Sequence, residues 1–218
     1  MKTVAMIPIK LYNERVPGKN LKCFDDGTPL ISFIQKTLVQ VKNLDESYIF
    51  CSDDRIKDYI IDGIRYLKRP SSLDTNKTLS TDLIKWFVDT VDANIYVMAH
   101  ATSPFISVDT CKTCIDKVKS GEHDSAFTAL KIQNFMWYQG RPLNYNAQRP
   151  PRTQDLEPVY SQVSGIFVFR KEVFVELNTR IGRNPYICEC NDIESVDIDH
   201  PINFDIANAI YMKLLSGK

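Results

Sequence analysis

Short apolar runs alternate along this chain with segments whose apolar residues recur at helical spacing, and this alternation restricts the fold more than any other feature. The first run, Thr3–Ile9, is followed by a helical pattern that begins at Pro29 and continues to about Val41. Further strands are expected at Tyr48–Cys51, Arg65–Lys68, Asn94–Ala99 and Ser125–Leu130, and further helices at Ile56–Ile61, Ser80–Val91 and Val108–Val118. Strands separated by helices in this way predict a mostly parallel sheet whose faces are covered by helices.

The alternation stops between Lys131 and Pro158, where Arg-Pro pairs and the aromatic cluster Phe135–Tyr138 replace it. This cluster either stacks on a nucleotide base or packs against the body or a second subunit. Regular patterns return at Gly165–Phe169, near Glu172–Leu177 and from about Ile202 to Leu215. We therefore expect one domain over residues 1–218, with an arm at about residues 131–160.

The charge balance excludes two classes of partner. The chain has 27 basic and 27 acidic side chains and a formal net charge of +0, so no general attraction to nucleic acid or to an anionic membrane is expected. No apolar run approaches the roughly 20 residues that a membrane helix needs. The segment Met1–Lys10 has a short apolar stretch that Pro8 interrupts, and this predicts no export signal and a cytoplasmic protein.

The six cysteines are therefore expected to be reduced thiols. Cys111 with Cys114 and Cys188 with Cys190 offer the alternative of four thiolates for zinc. The first pair lies on a predicted helix and lacks the turn of a zinc knuckle, which favours free thiols.

The loop after the first strand carries the most chemistry. It contains Lys10, Arg15, Lys19 and Asn20, and in open α/β sheets ligands bind beyond the carboxyl ends of the strands. Three cations in one loop suit a polyanion such as a triphosphate, although no Walker A sequence is present. A solvated basic loop is the alternative.

A second candidate lies near the carboxyl end of the chain, in the segment Ser195–Asp199. On an extended segment the side chains of Asp197 and Asp199 share one face. Two adjacent carboxylates repel each other unless a cation lies between them, and Mg²⁺ bridging phosphate oxygens is a natural occupant. A purely structural pair of aspartates is the alternative.

Together these motifs resemble the cytidylyltransferases that activate acidic sugars, the CMP-sialic acid and CMP-Kdo synthetases. Ile7–Asn20 is similar to the opening I-P-A-R…P-x-K-N pattern, and Ser195–Asp205 is similar to S-I-D-I-D-x-x-x-D-F. Weaker similarities lie at Ser52–Asp54 (which also reads as a helix N-cap), Arg69–Asp82, Thr102–Pro104, Arg152–Tyr160 and Ser164–Phe167.

The resemblance implies a three-layer α/β sandwich with a Rossmann-like, mostly parallel sheet of the nucleotide-diphospho-sugar transferase type, and a homodimer formed through the arm. It implies that CTP and an acidic sugar give a CMP-sugar and pyrophosphate, with Mg²⁺ or Mn²⁺ as cofactor. It assigns phosphates to Lys10, Arg15 and Lys19, the nucleotide to Asn20, Arg69, Ser80 and Thr102, the sugar to His100, Arg152 and Gln154, and the metal to Asp197 and Asp199.

Several positions depart from the family pattern. Lys10 replaces Arg, Glu14 replaces a basic residue, Asn76 replaces Asp and His100 replaces Gln. They leave open a nucleotidyltransferase of the same fold with another acceptor or base. A non-catalytic nucleotide-binding subunit is the other alternative, and the presence of Asp197 and Asp199 together with Lys19 argues against it.

Overall fold

A seven-stranded sheet forms the centre of the protein in a computed structural model that describes residues 1–216. Its strands are β1 Thr3–Ile9, β2 Glu46–Cys51, β3 Arg65–Lys68, β4 Ile95–Ala99, β5 Ser125–Ile132, β8 Val159–Arg170 and β9 Pro185–Cys190. They lie side by side in the order β3-β2-β1-β4-β8-β5-β9. Two very short strands, β6 Trp137–Tyr138 and β7 Arg141–Pro142, form a separate hairpin.

Helices cover both faces of the sheet. They are α1 Leu30–Leu38, α2 Ser80–Thr90, α3 Val108–Lys119, α4 Lys171–Leu177 and α5 Pro201–Ile210, the last continuing into a π-helical turn over Tyr211–Leu215. The buried residues of α1 and α3 pack into one apolar cluster and those of α2 and α4 into another, on the opposite face. A third cluster joins α5 to the start of α1. The predicted three-layer sandwich is therefore confirmed.

The sheet is mostly parallel, as predicted, but β8 runs against its neighbours. It pairs antiparallel with both β4 and β5, whereas β1, β2, β3 and β4 pair parallel to one another and β9 pairs parallel to β5. Because β8 is reversed, its first residues meet the carboxyl ends of the other strands.

The predicted elements differ from the structure in several places, and the reversed strand β8 begins at Val159 rather than at Gly165. Strand β9 was not predicted: its alternating burial leaves Ile187 and Glu189 exposed, so its apolar pattern is weak. The helix expected at Ile56–Ile61 is a 3-10 helix over Asp54–Tyr59, capped by the Asp53 carboxylate. The first helix ends at Leu38 rather than near Val41, and the final helix changes to π geometry after Ile210.

All six cysteines are free thiols. Cys111 and Cys114 on α3 are buried beneath Cys188 and Cys190 on β9, within one apolar cluster. Within residues 1–216, no group of three or more His, Cys, Asp or Glu side chains is placed to hold a metal ion. In the same described part, no helix is long and apolar enough to cross a membrane.

Candidate functional site

The cationic loop after β1 folds back on itself at the carboxyl edge of the sheet. The Asn20 amide donates a hydrogen bond to the Lys10 carbonyl at 2.9 Å, which closes the loop across its base. Gly18, just before the 3-10 turn Lys19–Leu21, has a φ of 64°, a left-handed conformation that glycine adopts without strain. These contacts turn Lys19 inward: its side chain is only 13% exposed.

Lys19 and Arg15 meet Asp199 from the other end of the chain. The Arg15 guanidinium lies 3.1 Å from one Asp199 carboxylate oxygen, and Lys19 Nζ lies 3.6 Å from the other. Lys19 Nζ also donates to the Ile198 carbonyl at 2.5 Å. Burial lowers the pKa of Lys19, and the nearby Asp199 and Asp197 carboxylates oppose that shift. The fold therefore brings together both motifs that the sequence singled out.

Asp197 lies deeper than Asp199 and is poorly satisfied. Burial raises its pKa above the usual range and the Asp199 charge adds to this, whereas the Thr102 and Ser164 side chains and Lys19 oppose it. Its Oδ1 is buried and has no hydrogen-bond partner within the described chain. The main cause of this raised pKa is burial, and repulsion between the two carboxylates is secondary.

Ile198, which lies between the two aspartates, holds this segment in place. Ile198 is fully buried, and its backbone N–H donates to the Thr102 carbonyl at 2.8 Å. Upstream, the buried Glu194 carboxylate accepts from the Ser107 N–H at 2.9 Å and from the Thr110 hydroxyl at 2.6 Å, at the start of α3. Sequence reasoning missed Glu194, because a single glutamate in a polar stretch carries no signal of burial.

Three of the departures from the family pattern contact one another. Lys10 Nζ donates to the Asn76 side-chain oxygen at 2.9 Å, and the Asn76 amide donates in turn to the Glu14 carboxylate. The same three residues help to line a cavity of about 230 Å³ between the loop and the turn that precedes α2. Lys10, Glu14 and Asn76 therefore form one hydrogen-bonded unit, which no single position in the sequence reveals.

His100 stands at the end of β4, beside the reversed strand. Its backbone N–H donates to the Gly165 carbonyl at 3.1 Å. Burial lowers the pKa of His100 to about 3, and the positive charges of Arg180 and Lys19 act in the same direction. The ring is therefore neutral at pH 7, and its Nε2 is buried without a hydrogen-bond partner among residues 1–216. A neutral imidazole suits a hydroxyl or amide partner better than an anion.

Two other predicted nucleotide residues lie outside this network of contacts. Arg69 is 3% exposed, and its guanidinium donates to Asp74, which also accepts from the Ser52 hydroxyl. The backbone N–H of Arg69 donates to the carbonyl of Cys51, the last residue of β2, at 3.0 Å. Arg69 therefore stabilises the end of β3 against β2. Ser80 opens α2 and is partly exposed. The nucleotide role of both residues stays a prediction.

The two predicted sugar contacts on the arm lie apart from the edge of the sheet. The Arg152 side chain is 73% exposed and forms an ion pair with Asp155 at 2.7 Å. Gln154 is exposed as well, and its carbonyl accepts from the Gln133 amide at 2.9 Å. No contact within the described residues joins either side chain to Lys19 or to the aspartates.

Several known proteins resemble this chain over most of its length. The model of a family described as cytidylyltransferase matches residues 4–186. The chain is 25% identical over 215 residues to the N-acylneuraminate cytidylyltransferase of Streptococcus agalactiae serotype V, covering 91% of this chain and 51% of that protein. It is 23% identical over 225 residues to the CMP-N,N'-diacetyllegionaminic acid synthase of Legionella pneumophila, covering 96% of each. The chain spans about half the length of the first curated relatives that it matches.

A solved structure shares the fold. A CMP:2-keto-3-deoxy-manno-octonic acid synthetase complexed with CTP superposes with a TM-score of 0.74 at 18% identity, covering 99% of this chain and 100% of that one. This likeness confirms the expected architecture of the sheet and its two helical layers.

Proposed function

The chain belongs to the cytidylyltransferase family, and from this premise we propose that it couples CTP to an acidic sugar, giving a CMP-sugar and pyrophosphate. The observation that carries the proposal is the cluster in which Arg15 and Lys19 meet Asp199 at the carboxyl edge of the sheet. Relatives named for acylneuraminate and diacetyllegionaminic acid support an acidic acceptor.

The cations of the first loop would bind the triphosphate. Arg15 is 61% exposed and reaches Asp199 from the solvent side, whereas Lys19 is mostly buried. Lys10 would exchange its hydrogen bond to Asn76 for a phosphate oxygen. Asn20, Arg69, Ser80 and Thr102 would position the nucleotide, as the resemblance implies. Charge neutralisation by such pre-positioned cations is the largest single contribution expected in phosphoryl transfer.

Asp197 and Asp199 would hold Mg²⁺ or Mn²⁺. The buried Asp197 oxygen that lacks a partner fits a metal ligand, because an unpaired buried carboxylate is costly unless a cation satisfies it. Two carboxylates alone do not complete a coordination shell, so phosphate oxygens and water would supply the rest. The metal would supply charge stabilisation on the phosphate oxygens.

The reaction needs little covalent chemistry from the protein. The anomeric hydroxyl of the sugar forms a bond to the α-phosphorus while the bond to the bridging oxygen of the leaving pyrophosphate breaks, and the hydroxyl proton passes to solvent. His100, whose pKa burial lowers to about 3, is too weak a base to take this proton at neutral pH. It would instead hydrogen-bond the acceptor. Positioning and charge stabilisation therefore carry catalysis.

The arm would act across a homodimer. Trp137 and Tyr138 are 59% and 63% exposed on their hairpin, which is the exposure expected of aromatic side chains that a second subunit covers. Arg152 and Gln154 would then meet the sugar in the partner's site. A cytoplasmic location is supported by the six free thiols.

A pyrophosphate-release screen tests the proposal. Each of the four nucleoside triphosphates is combined with N-acetylneuraminic, legionaminic, pseudaminic or 3-deoxy-manno-octulosonic acid in the presence of Mg²⁺. Turnover with CTP and one acid is expected. Release with another nucleotide, or only with an uncharged sugar, would replace this function by another nucleotidyl transfer, and no release in any combination would support a non-catalytic subunit.

A further inference from the structure

Arg180 is a half-buried cation without a carboxylate partner in the part of the chain that the structure describes. It lies in the loop between α4 and β9, with its guanidinium carbon 3.5 Å from the centre of the Phe167 ring. Its Nη1 donates to the Met98 sulfur at 3.2 Å. Burial lowers the pKa of Arg180 to about 10, yet the group stays charged at neutral pH.

Such a residue is unusual in energetic terms. A guanidinium has five N–H donors in a rigid fork that matches a carboxylate. In Arg180 one donor meets a weak sulfur acceptor, and the others make no hydrogen bond within residues 1–216. None of its nitrogens is among the side-chain atoms that are both buried and unpaired, so the free side of the fork is open to solvent. A half-buried guanidinium whose free donors face solvent is placed to bind an anion there.

The position of Arg180 connects it to the candidate site. Met98 on β4 and Phe167 on β8 are paired across the two strands, and His100 follows Met98 by two residues on the same face of the sheet. The His100 ring lies 6.1 Å from the Phe167 ring. Arg180 and His100 thus both lie against the Phe167 ring, and the positive charge of Arg180 contributes to the lowered pKa of His100.

We infer that Arg180 binds the carboxylate of the acidic acceptor, an inference that rests on the proposed function. The acceptor would span from Arg180 past the neutral His100 ring toward the phosphates held by the first loop. Arg152 is the other arginine assigned to the acceptor, but its fork is already occupied by Asp155, at 2.7 and 3.1 Å. Arg180 thus becomes a specificity-determining residue that lies in the same subunit as the phosphate site.

The test compares an acid with its neutral analogue. Initial rates are measured with the acid that the screen selects and with its carboxamide, for the wild type, Arg180→Met and Arg180→Lys. Arg183→Met is the matched control, since Arg183 lies in the same loop and is exposed. Met retains an apolar contact with Phe167, and thermal unfolding of each variant reports whether it folds.

We expect Arg180→Met to raise the KM for the acid by about tenfold or more, the effect of losing a charge-assisted hydrogen bond, and to leave the KM for CTP unchanged. The KM of Arg180→Lys for the acid should lie between those of the wild type and Arg180→Met, because lysine keeps the charge but lacks the planar fork of donors. The preference for acid over carboxamide should be large in the wild type and in Arg183→Met but nearly absent in Arg180→Met. An unchanged preference in folded Arg180→Met would overturn the assignment.

Calorimetric binding of the acid and the carboxamide makes the result independent of turnover. If no acid turns over but the wild type binds an acid more tightly than Arg180→Met does, the proposed reaction fails and the carboxylate site remains. If turnover is found, and if the wild type and Arg180→Met each bind the acid and the carboxamide equally tightly, the proposed reaction remains and Arg180 packs without contacting the ligand.

Discussion

The edge of the sheet and the arm differ in how their charged side chains are held. At the edge, Lys19 contacts Asp199 and the Ile198 carbonyl across a separation of about 180 residues in sequence, inside a partly buried cluster. On the arm, Arg152 pairs with Asp155 three residues away, and both are exposed. Long-range contacts fix a geometry within one chain, whereas a local pair on an exposed arm leaves the geometry to be completed by a partner. Function assigned to the edge can therefore be argued from this chain alone, and function assigned to the arm cannot.

The largest effect is expected from Lys19. We predict that Lys19→Ala lowers kcat/KM by at least about 100-fold, the scale for losing a pre-positioned charge contact. Because the side chain is mostly buried, Lys19→Met is the matched variant: it keeps the aliphatic stem and removes only the charge. Steady-state kinetics with thermal unfolding of both variants separates catalysis from packing. Near-normal turnover in Lys19→Met would place the phosphates elsewhere.

Asp199 offers a second test of the edge. Asp199→Asn keeps the shape of the side chain and removes one charge from the cluster with Arg15 and Lys19. Turnover should fall by about 100-fold while nucleotide binding survives in part, as for a contact that matters most in the transition state. EDTA should abolish wild-type activity and added Mg²⁺ restore it. Full activity of the variant together with resistance to EDTA would remove the metal assignment.

Mixed dimers test whether the arm works across subunits. Arg152→Ala alone should lower activity by about tenfold, the effect of one exposed charge-assisted contact on a ligand. When Arg152→Ala is mixed in equal amount with the inactive Lys19→Ala, about half of the dimers contain one subunit of each. In such a dimer one of the two sites has both Lys19 and Arg152, so the mixture should recover about a quarter of wild-type activity. Light scattering checks that dimers exist at micromolar concentration. A monomer, or no recovery after subunit exchange, would confine the arm to its own chain.

The smallest effect concerns stability at the edge. The folded chain holds a proton on Asp197 more tightly than the unfolded chain does, since burial raises the pKa of this carboxyl group. Stability should therefore fall as pH rises from the unfolded pKa through the folded one. Without metal or nucleotide, Asp197→Asn should unfold about 1–3 °C higher than the wild type at pH 7, while losing activity. Thermal unfolding of both proteins at pH 4 and pH 7 measures this, and an Asp197→Asn variant that unfolds at a lower temperature than the wild type at pH 7 would contradict it.

How far the sequence predicted the structure depends on whether a feature is local. Thr3–Ile9 was predicted with its observed bounds because its apolar run is nearly continuous. The bounds of Arg65–Lys68 were also predicted, although only its two central residues are apolar. Strand β9 was missed because only Cys188 and Cys190 of its residues are buried. The resemblance assigned Lys19 and Asp199 to one site, and the structure adds that their side chains contact each other.

Other features of the site had no signal in the sequence. The hydrogen-bonded unit of Lys10, Glu14 and Asn76 joins positions that each read as an isolated departure. Arg180 stands in a polar loop like many surface arginines, and only the packed structure shows that it lies on Phe167 beside His100. Burial of a charged side chain is a property of the tertiary structure and has no local pattern.

The reversed direction of β8 also bears on how such a chain diversifies. Ile132 at the end of β5 pairs directly with Val159 at the start of β8, so the arm is an elongated hairpin loop between two registered neighbours. Lengthening such a loop costs little, since closure entropy grows only with the logarithm of its length. Insertions and deletions in the arm can therefore accumulate without shifting the strands that carry His100 or the first loop. The length of the arm and the geometry of the sheet edge can thus change independently of each other.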